Sequence, residues 1–429
     1  MTPGAPIRPT EVFIILIAVS TVVALATRRT RFLPYSVALV VLGLVVSVLD
    51  LPVDLQVDPA ILLSVFLPGL VFEAAYRTDL RLLWRSAGAV AFLAVPGVLL
   101  SAAIVAVVLN AVTQIGLVAC FVVGAVLAAT DPAAVLAVVS KLHVPRQLTT
   151  LIEAESLFND GTGVVLFALA VGALRAPVEG WQVIIGLGVV TFVSAAIGVV
   201  VGFIGSRALT RADDHLIELM ISVVVAYGSY LLADRLGESG LIASVVAGLV
   251  FGSYGKEMGA SRAGSVAMDT VWEFAAYLLT TFVFLLVGLA IGIDQVVAAL
   301  LPALAVFAAL LVGRALIVYG LLGIGDRILS RRANRQPFAS RWLHLIAWSG
   351  LRGAVATALA LALPADVPHR GMLQGIIFAC VLLTLLLQGT TVDFLVSRLG
   401  LDRDDDREQA RGHAKGRDPI GTPASGEGS

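Results

Sequence analysis

The sequence predicts an all-α polytopic membrane protein with about thirteen transmembrane helices. The chain has 429 residues, of which 59% are hydrophobic and only 14% are charged. Soluble globular domains carry about 25% charged residues. The apolar residues also cluster in windows of membrane-spanning length, and the basic residues alternate between the loops that join them. These three observations together argue against a soluble enzyme and against a nucleic-acid-binding protein.

Thirteen apolar windows are long enough to cross about 30 Å of hydrocarbon. They are 11–27, 33–49, 60–76, 86–109, 116–139, 150–174, 182–205, 216–236, 239–253, 270–292, 296–320, 343–363 and 372–397. The ninth window is short, so twelve spans is the alternative count.

The basic residues test this division and orient it. The loops after odd-numbered windows carry seventeen Arg and Lys residues, whereas the N-terminus and the loops after even-numbered windows carry four. Cytoplasmic loops carry the excess of basic residues. We therefore expect an inner-membrane or plasma-membrane protein with its N-terminus outside and its C-terminus in the cytoplasm.

The windows also divide into two groups of six that are joined by a linker helix. The two groups begin on opposite sides of the membrane, as inverted repeats do. Thr130-Asp131-Pro132 interrupts the fifth window, and Ser349-Gly350-Leu351-Arg352-Gly353 interrupts the twelfth, seven windows later. Interrupted helices at corresponding positions indicate a binding site near the membrane midplane. We expect these two broken helices to cross.

The sixth window carries the polar run Glu155-Ser156-Leu157-Phe158-Asn159-Asp160. A charged residue at the bilayer centre costs roughly 2.5–3.5 kcal/mol, so it must face protein, water or an ion. Ser156 and Asp160 share one helix face, and Glu155 and Asn159 share another, rotated by about 100°. Asp160 and Ser156 are therefore predicted to line an ion site, whereas Glu155 requires a partner of its own.

Two arginines lie well inside the windows, Arg314 and Arg352, whereas Arg235 lies at the end of the eighth. An unpaired guanidinium is costly in this environment. We predict a structural ion pair between Glu155 and Arg314. Arg352 is expected to offset either Asp131 or the carbonyl ends of the broken helices.

Asp131 and Glu73 each have two possible roles. Asp131 either neutralises the N-terminal ends of the half-helices or binds an ion directly. Pro132 cannot donate a hydrogen bond, so a freed carbonyl such as that of Thr130 could bind a cation. Glu73 lies near the basic end of the third window, where it either reaches the cytoplasm or contributes to the site.

Taken in order, these motifs resemble the monovalent cation–proton antiporter family, specifically the NhaP-like sodium/proton exchangers. The resemblance covers about residues 11–397. The matching runs are Leu67–Tyr76, Thr130-Asp131-Pro132, Glu155–Gly161, Phe284–Leu289 and Gly350–Ala354.

The resemblance implies a homodimer and a six-helix core that contains two crossed broken helices. Residues 1–400 would form one transmembrane antiporter domain with interleaved dimerisation and core parts, followed by a short disordered cytoplasmic tail, 401–429. Unlike some relatives, this protein is expected to have no long regulatory tail. Asn159, where electrogenic relatives carry a second Asp, is similar to the electroneutral branch, and Glu155–Arg314 matches the family's stabilising pair. The implied ligands of the transported cation are Asp160, Ser156, Glu73 and Thr130.

The expected function is electroneutral exchange of sodium or lithium for protons, in which cation and proton compete for Asp160. No enzymatic activity, cofactor or nucleic-acid partner is expected, and the partners are lipid and a second copy of the chain. Potassium/proton exchange is the alternative, because ligand types alone do not separate the two cations. A cation channel is disfavoured, because it would need a repeated carbonyl filter or a ring of like residues around a symmetric pore, and the sequence shows neither. An intramembrane aspartyl protease is also disfavoured, because Asp131 precedes Pro132 and Asp160 follows Asn159. These sequences do not resemble those around the paired catalytic aspartates of such enzymes.

Overall fold

The computed structural model describes residues 9–29, 34–49, 59–140, 144–176, 179–212, 214–256, 261–325, 327 and 339–401. All regular secondary structure in these ranges is helical. The first eight helices are α1 Pro9–Arg29, α2 Tyr35–Val48, α3 59–77, α4 Leu80–Thr113, α5 Leu117–Val126, α6 Ala133–Val139, α7 Arg146–Arg175 and α8 Gly180–Leu209.

The second eight helices follow in the same chain order. They are α9 His215–Arg235, α10 Gly240–Gly255, α11 Arg262–Ala290, α12 Ile293–Ala298, α13 Leu300–Gly323, α14 Ser340–Trp348, α15 Ala354–Leu361 and α16 Arg370–Leu399.

Each predicted window coincides with one of these helices or with a pair of shorter ones. Among the described residues, seven helices are long and apolar enough to cross a membrane. The chain is thus a multi-pass membrane protein, and the count of thirteen spans stays a prediction. The predicted tail lies outside the described residues apart from Leu401.

Helix α4 begins six residues before its predicted window because Asp79 caps it. The Asp79 carboxylate accepts the N–H groups of Arg81 and Leu82 at 2.8 and 3.2 Å, which satisfies two donors that have no partner within the helix. Further along, Pro96 removes one backbone donor, and the helix widens to a π-helical turn over Leu93–Gly97.

The helices pack into two groups. One group contains α1–α3 and α8–α11, and the other contains α4–α7 and α12–α16. Close approach within the first group depends on glycine: a Cβ on Gly43 of α2 would lie 2.9 Å from the Gly288 Cα of α11. Helix α8 turns a row of apolar side chains outward, including Ile184, Phe192 and Ile204. A surface of this kind favours hydrocarbon over water.

The two predicted helix breaks both lie in the second group and meet each other. The fifth window is broken between α5 and α6, and the twelfth between α14 and α15. The Asp131 N–H donates to the Leu351 carbonyl at 2.8 Å, which joins one break to the other. The two breaks therefore meet, as the predicted crossing requires, while the inverted symmetry of the two halves stays a prediction.

Candidate functional site

A cavity of about 210 Å³ lies where α3, α7 and α11 meet the two breaks. Most of its lining is apolar, with side chains such as Leu67, Val71 and Phe284. Six residues with oxygen-bearing side chains converge on it from α3, the first break, α7 and α11: Glu73, Asp131, Glu153, Ser156, Asp160 and Thr280. The cavity therefore combines apolar walls with a small group of oxygen atoms that can bind a proton or a cation.

Helix α7 separates its polar residues between two faces, as the periodicity predicts. Ser156 and Asp160 line the cavity. Glu155 and Asn159 face away from it, toward a much smaller space that Arg352 also lines. The charged and amide groups of this helix thus serve two separate environments.

The break at Thr130 is held by two side chains of α7. The Ser156 hydroxyl donates to the Thr130 carbonyl. The Asn159 amide donates to the Thr130 hydroxyl at 2.6 Å and accepts the Thr130 N–H at 3.1 Å. A buried backbone without helical partners requires such replacements. As a result, the Ser156 hydroxyl, the Thr130 carbonyl and the Asp160 carboxylate belong to one compact region.

The Asp131 carboxylate lies between the N-terminal ends of two half-helices. One oxygen accepts the Ala133 N–H at 3.0 Å and the other accepts the Ala354 N–H at 3.3 Å. These are the first residues of α6 and α15, where helix dipoles stabilise negative charge. Gly353 allows this approach, because a Cβ there would lie 2.6 Å from the Asp131 Cβ. The geometry favours dipole compensation, the first of the two roles expected for Asp131.

Arg352 binds the opposite, carbonyl end of the break. Its Nη1 donates to the carbonyls of Ala128 and Ala129 at 2.8 and 3.0 Å. The side chain is 3% exposed, so these carbonyls, and not Asp131, supply its hydrogen-bond acceptors. Of the two predicted partners of Arg352, the structure has the helix-end carbonyls.

Glu155 and Arg314 form the predicted buried ion pair. Arg314 Nη1 contacts Glu155 Oε1, and Nη2 contacts Oε2 at 2.8 Å. The guanidinium also donates to the Ile346 carbonyl, from Nε at 3.2 Å and from Nη2 at 2.9 Å. The pair therefore joins α7, α13 and the half-helix α14, away from the cavity.

Glu73 lines the cavity and is also ion-paired. Its Oε1 lies 2.9 Å from Arg77 Nε, one helical turn along α3, and its side chain is 14% exposed. The Arg77 Nη2 donates to Glu273 Oε2 and to the Asp269 carbonyl of α11, both at 3.0 Å. Glu73 thus faces the cavity while it is paired with a basic group at the end of α3.

Two residues of this region were not singled out from the sequence. Glu153 lines the cavity three residues before Ser156 and seven before Asp160, a spacing that places all three on one helix face. Arg77 follows Glu73 by four residues, the spacing of an intrahelical ion pair. Both signals are present in the sequence, as a spacing of three and seven residues for Glu153 and of four residues for Arg77.

Comparison with known proteins agrees with the family suggested by the motifs. The chain is 36% identical over 410 residues to the Na⁺/H⁺ antiporter ApNhaP of Aphanothece halophytica, covering 94% of this chain and 77% of that protein. It is 34% identical over 420 residues to the low-affinity Na⁺/H⁺ antiporter NhaS1 of Synechocystis sp., with the same two coverages.

The fold also has a solved counterpart. The sodium proton antiporter MjNhaP1 of Methanocaldococcus jannaschii, at pH 8, superposes with a TM-score of 0.72 at 21% identity, covering 90% of this chain and 97% of that one. The family profile described as "Sodium/hydrogen exchanger, transmembrane" matches residues 14–398. The chain therefore belongs to the transmembrane sodium/hydrogen exchanger family.

Proposed function

We propose that this protein is an electroneutral antiporter that exchanges sodium for protons across the cell membrane, with both ions competing for Asp160. Family membership and the names of the relatives support the reaction class. The observation that carries the choice of site is local. Asp160 and Ser156 line one cavity, and the Ser156 hydroxyl is bound to the Thr130 carbonyl at the helix break.

The oxygen atoms of this region suit a hard monovalent cation. The Ser156 hydroxyl donates a hydrogen bond to the Thr130 carbonyl, so its own oxygen keeps its lone pairs for a cation. The Thr130 carbonyl oxygen retains a second lone pair. Asp160 and Glu73 supply carboxylates from two sides of the cavity. A cation requires several of these oxygens at once, whereas a proton requires one carboxylate oxygen. The two ions therefore exclude each other at Asp160.

Coupling follows from the apolar lining. An empty, ionised Asp160 would have to move past side chains such as Leu67 and Val71 without compensation, and transfer of an uncompensated charge into apolar surroundings is strongly unfavourable. Either a proton or a cation neutralises the carboxylate and permits the movement. Asn159 contributes no charge, so one proton exchanges for one sodium ion without net charge transfer.

In this proposal the protein works as a homodimer in the lipid bilayer, with its N-terminus outside and its C-terminus in the cytoplasm. The distribution of basic residues supports this orientation. In this orientation Arg77 and the end of α3 lie at the cytoplasmic side of the cavity.

The test is a cation panel on the purified full chain in proteoliposomes, read by internal pH at two external pH values. Sodium should drive proton movement, and its apparent KM should rise with the external proton concentration. Asp160→Asn should abolish exchange in protein that remains folded. Asp366→Asn, which removes an exposed carboxylate paired with Arg175, should leave exchange intact.

Three results would contradict the proposal. They are exchange in Asp160→Asn, a sodium KM that is independent of pH, and a response to potassium that exceeds the response to sodium. The last result would identify a potassium/proton exchanger.

A further inference from the structure

The ion pair between Arg77 and Glu73 lies between two cavities. Glu73 lines the cavity that contains Asp160 and Ser156. Arg77 lines a neighbouring cavity of about 450 Å³, together with residues such as Thr78, Asp79 and Arg81. A carboxylate that faces the candidate ion site is thus bound by a positively charged group from outside that site.

Arg77 divides its donors between two helices. Its Nε binds Glu73 in its own helix at 2.9 Å. Its Nη2 binds Glu273 Oε2 and the Asp269 carbonyl of α11, both at 3.0 Å. A guanidinium has five N–H donors in a fixed planar arrangement. If Glu73 turned toward the cavity, Arg77 would still keep both acceptors on α11 and would not be left unpaired.

We infer that Arg77 is a tethered cation that competes with the transported cation for Glu73 and thereby sets the apparent sodium affinity. The inference rests on the proposed function, in which Glu73 is one of the ligands. Sodium and the guanidinium are both positive, and each binds the carboxylate oxygens that the other requires. Glu273 and the Asp269 carbonyl hold Arg77 in place when sodium displaces it. Arg77 is therefore a positioning residue that acts through Glu73.

The first variant removes the competitor. Arg77→Gln should lower the apparent KM for sodium about two- to fivefold, the range expected from the loss of one partly exposed ion pair. The matched control is Arg81→Gln, which removes the same charge from the lining of the same outer cavity without a contact to Glu73. It should leave the KM unchanged.

The second variant removes an alternative acceptor. Glu273→Gln should raise the apparent KM about twofold, because Arg77 then relies more on Glu73. Asp269→Asn is the control: it removes a carboxylate one helical turn away whose side chain binds Lys256 at 3.3 Å, and it leaves the backbone carbonyl that Arg77 uses. In an Arg77→Gln background the effect of Glu273→Gln should disappear, since the two residues act as one unit.

Sodium-induced thermal stabilisation of the purified variants should increase where the KM falls and decrease where the KM rises, because a ligand that binds more tightly stabilises the folded state more. Three outcomes overturn the inference: an unchanged KM in Arg77→Gln, with or without a fall in its maximal rate; an equal shift in Arg81→Gln; or an effect of Glu273→Gln that persists without Arg77. Exchange in Asp160→Asn would instead refute the proposed function itself. If Asp160→Asn is inactive and Arg77→Gln has a normal KM, only the tethered-cation inference fails.

Discussion

The side-chain amide of Asn159 holds Thr130 at two points: it donates to the Thr130 hydroxyl at 2.6 Å and accepts the Thr130 N–H at 3.1 Å. Asn159 therefore fixes the broken helix against α7, directly beside Asp160 in sequence. The amide is 1% exposed, so water cannot replace it easily. Asn159 therefore has a structural role in addition to leaving this position uncharged.

Replacement of Asn159 should weaken both stability and ion binding. Asn159→Ala leaves the N–H of Thr130 buried and unpaired, which costs about 1–3 kcal/mol. It also frees the Thr130 carbonyl to shift, so the apparent KM for sodium should rise. Thermal unfolding and exchange assays of the purified protein measure the two effects.

Asn110→Ala is the matched control for this change, because Asn110 donates one hydrogen bond to the Ile115 carbonyl, at 2.7 Å. It should reduce stability less and leave the KM unchanged. A normal KM in Asn159→Ala would show that Thr130 does not need this contact to bind the cation.

The Glu155–Arg314 pair should matter for stability more than for ion affinity. Glu155→Gln leaves a buried guanidinium without its counter-charge, although it still donates to the Ile346 carbonyl, and loss of one charged partner of a buried pair costs about 3–5 kcal/mol. The double variant Glu155→Gln/Arg314→Gln should be more stable than Glu155→Gln, since no buried charge remains unpaired. Thermal unfolding tests this order. A larger change in cation affinity than in stability would place Glu155 among the ion ligands.

Gly353 should not tolerate a side chain. A Cβ at this position would lie 2.6 Å from the Asp131 Cβ and 2.7 Å from its Cγ, so Gly353→Ala must displace Asp131 from the Ala354 N–H. We expect loss of exchange and lower thermal stability. Gly172→Ala, in α7 with open space around the new methyl group, should be neutral or slightly stabilising. Full exchange in Gly353→Ala would mean that Asp131 need not be held between the half-helices.

Transport should not respond to the membrane potential. Asp160 is the proposed exchanging carboxylate, and its neighbour Asn159 is uncharged, so each cycle should move no net charge. Sodium uptake by proteoliposomes should be the same with and without a potassium diffusion potential imposed by valinomycin, at constant pH gradient. Uptake that increases with an inside-negative potential would require a second charged group in the cycle, and Glu153 would be the first residue to test.

Much of the fold follows from the sequence because the bilayer constrains it. Windows of sufficient length must be helical, since hydrocarbon offers the backbone no other partners. Thr130-Asp131-Pro132 and Ser349–Gly353 interrupt such windows, and their crossing was predictable from their matching positions. The widened turn at Leu93–Gly97 was not predicted, because Pro96 alone does not determine how the surrounding helices accommodate its missing hydrogen bond.

The site shows the same difference between chemistry and geometry. Glu155 and Arg314 could be paired from the sequence because few buried charges were available to balance each other. The partners of Arg352 could not be chosen, since a carboxylate and helix-end carbonyls satisfy a guanidinium equally in principle. The hydrogen bonds from Arg77 to α11 could not be predicted, because Glu273 is 196 residues away in sequence and no local pattern relates the two residues.

The contact between Asp131 and the Ala354 N–H joins positions 223 residues apart. During synthesis, Asp131 therefore enters the bilayer long before the ribosome has made its second hydrogen-bond donor. The carbonyls of Ala128 and Ala129 likewise enter it long before Arg352 is made. For most of translation the nascent chain carries a half-assembled polar break. Insertion of the predicted twelfth span thus completes the polar contacts of both breaks, and a ribosome that stalls before residue 354 leaves Asp131 without its second donor.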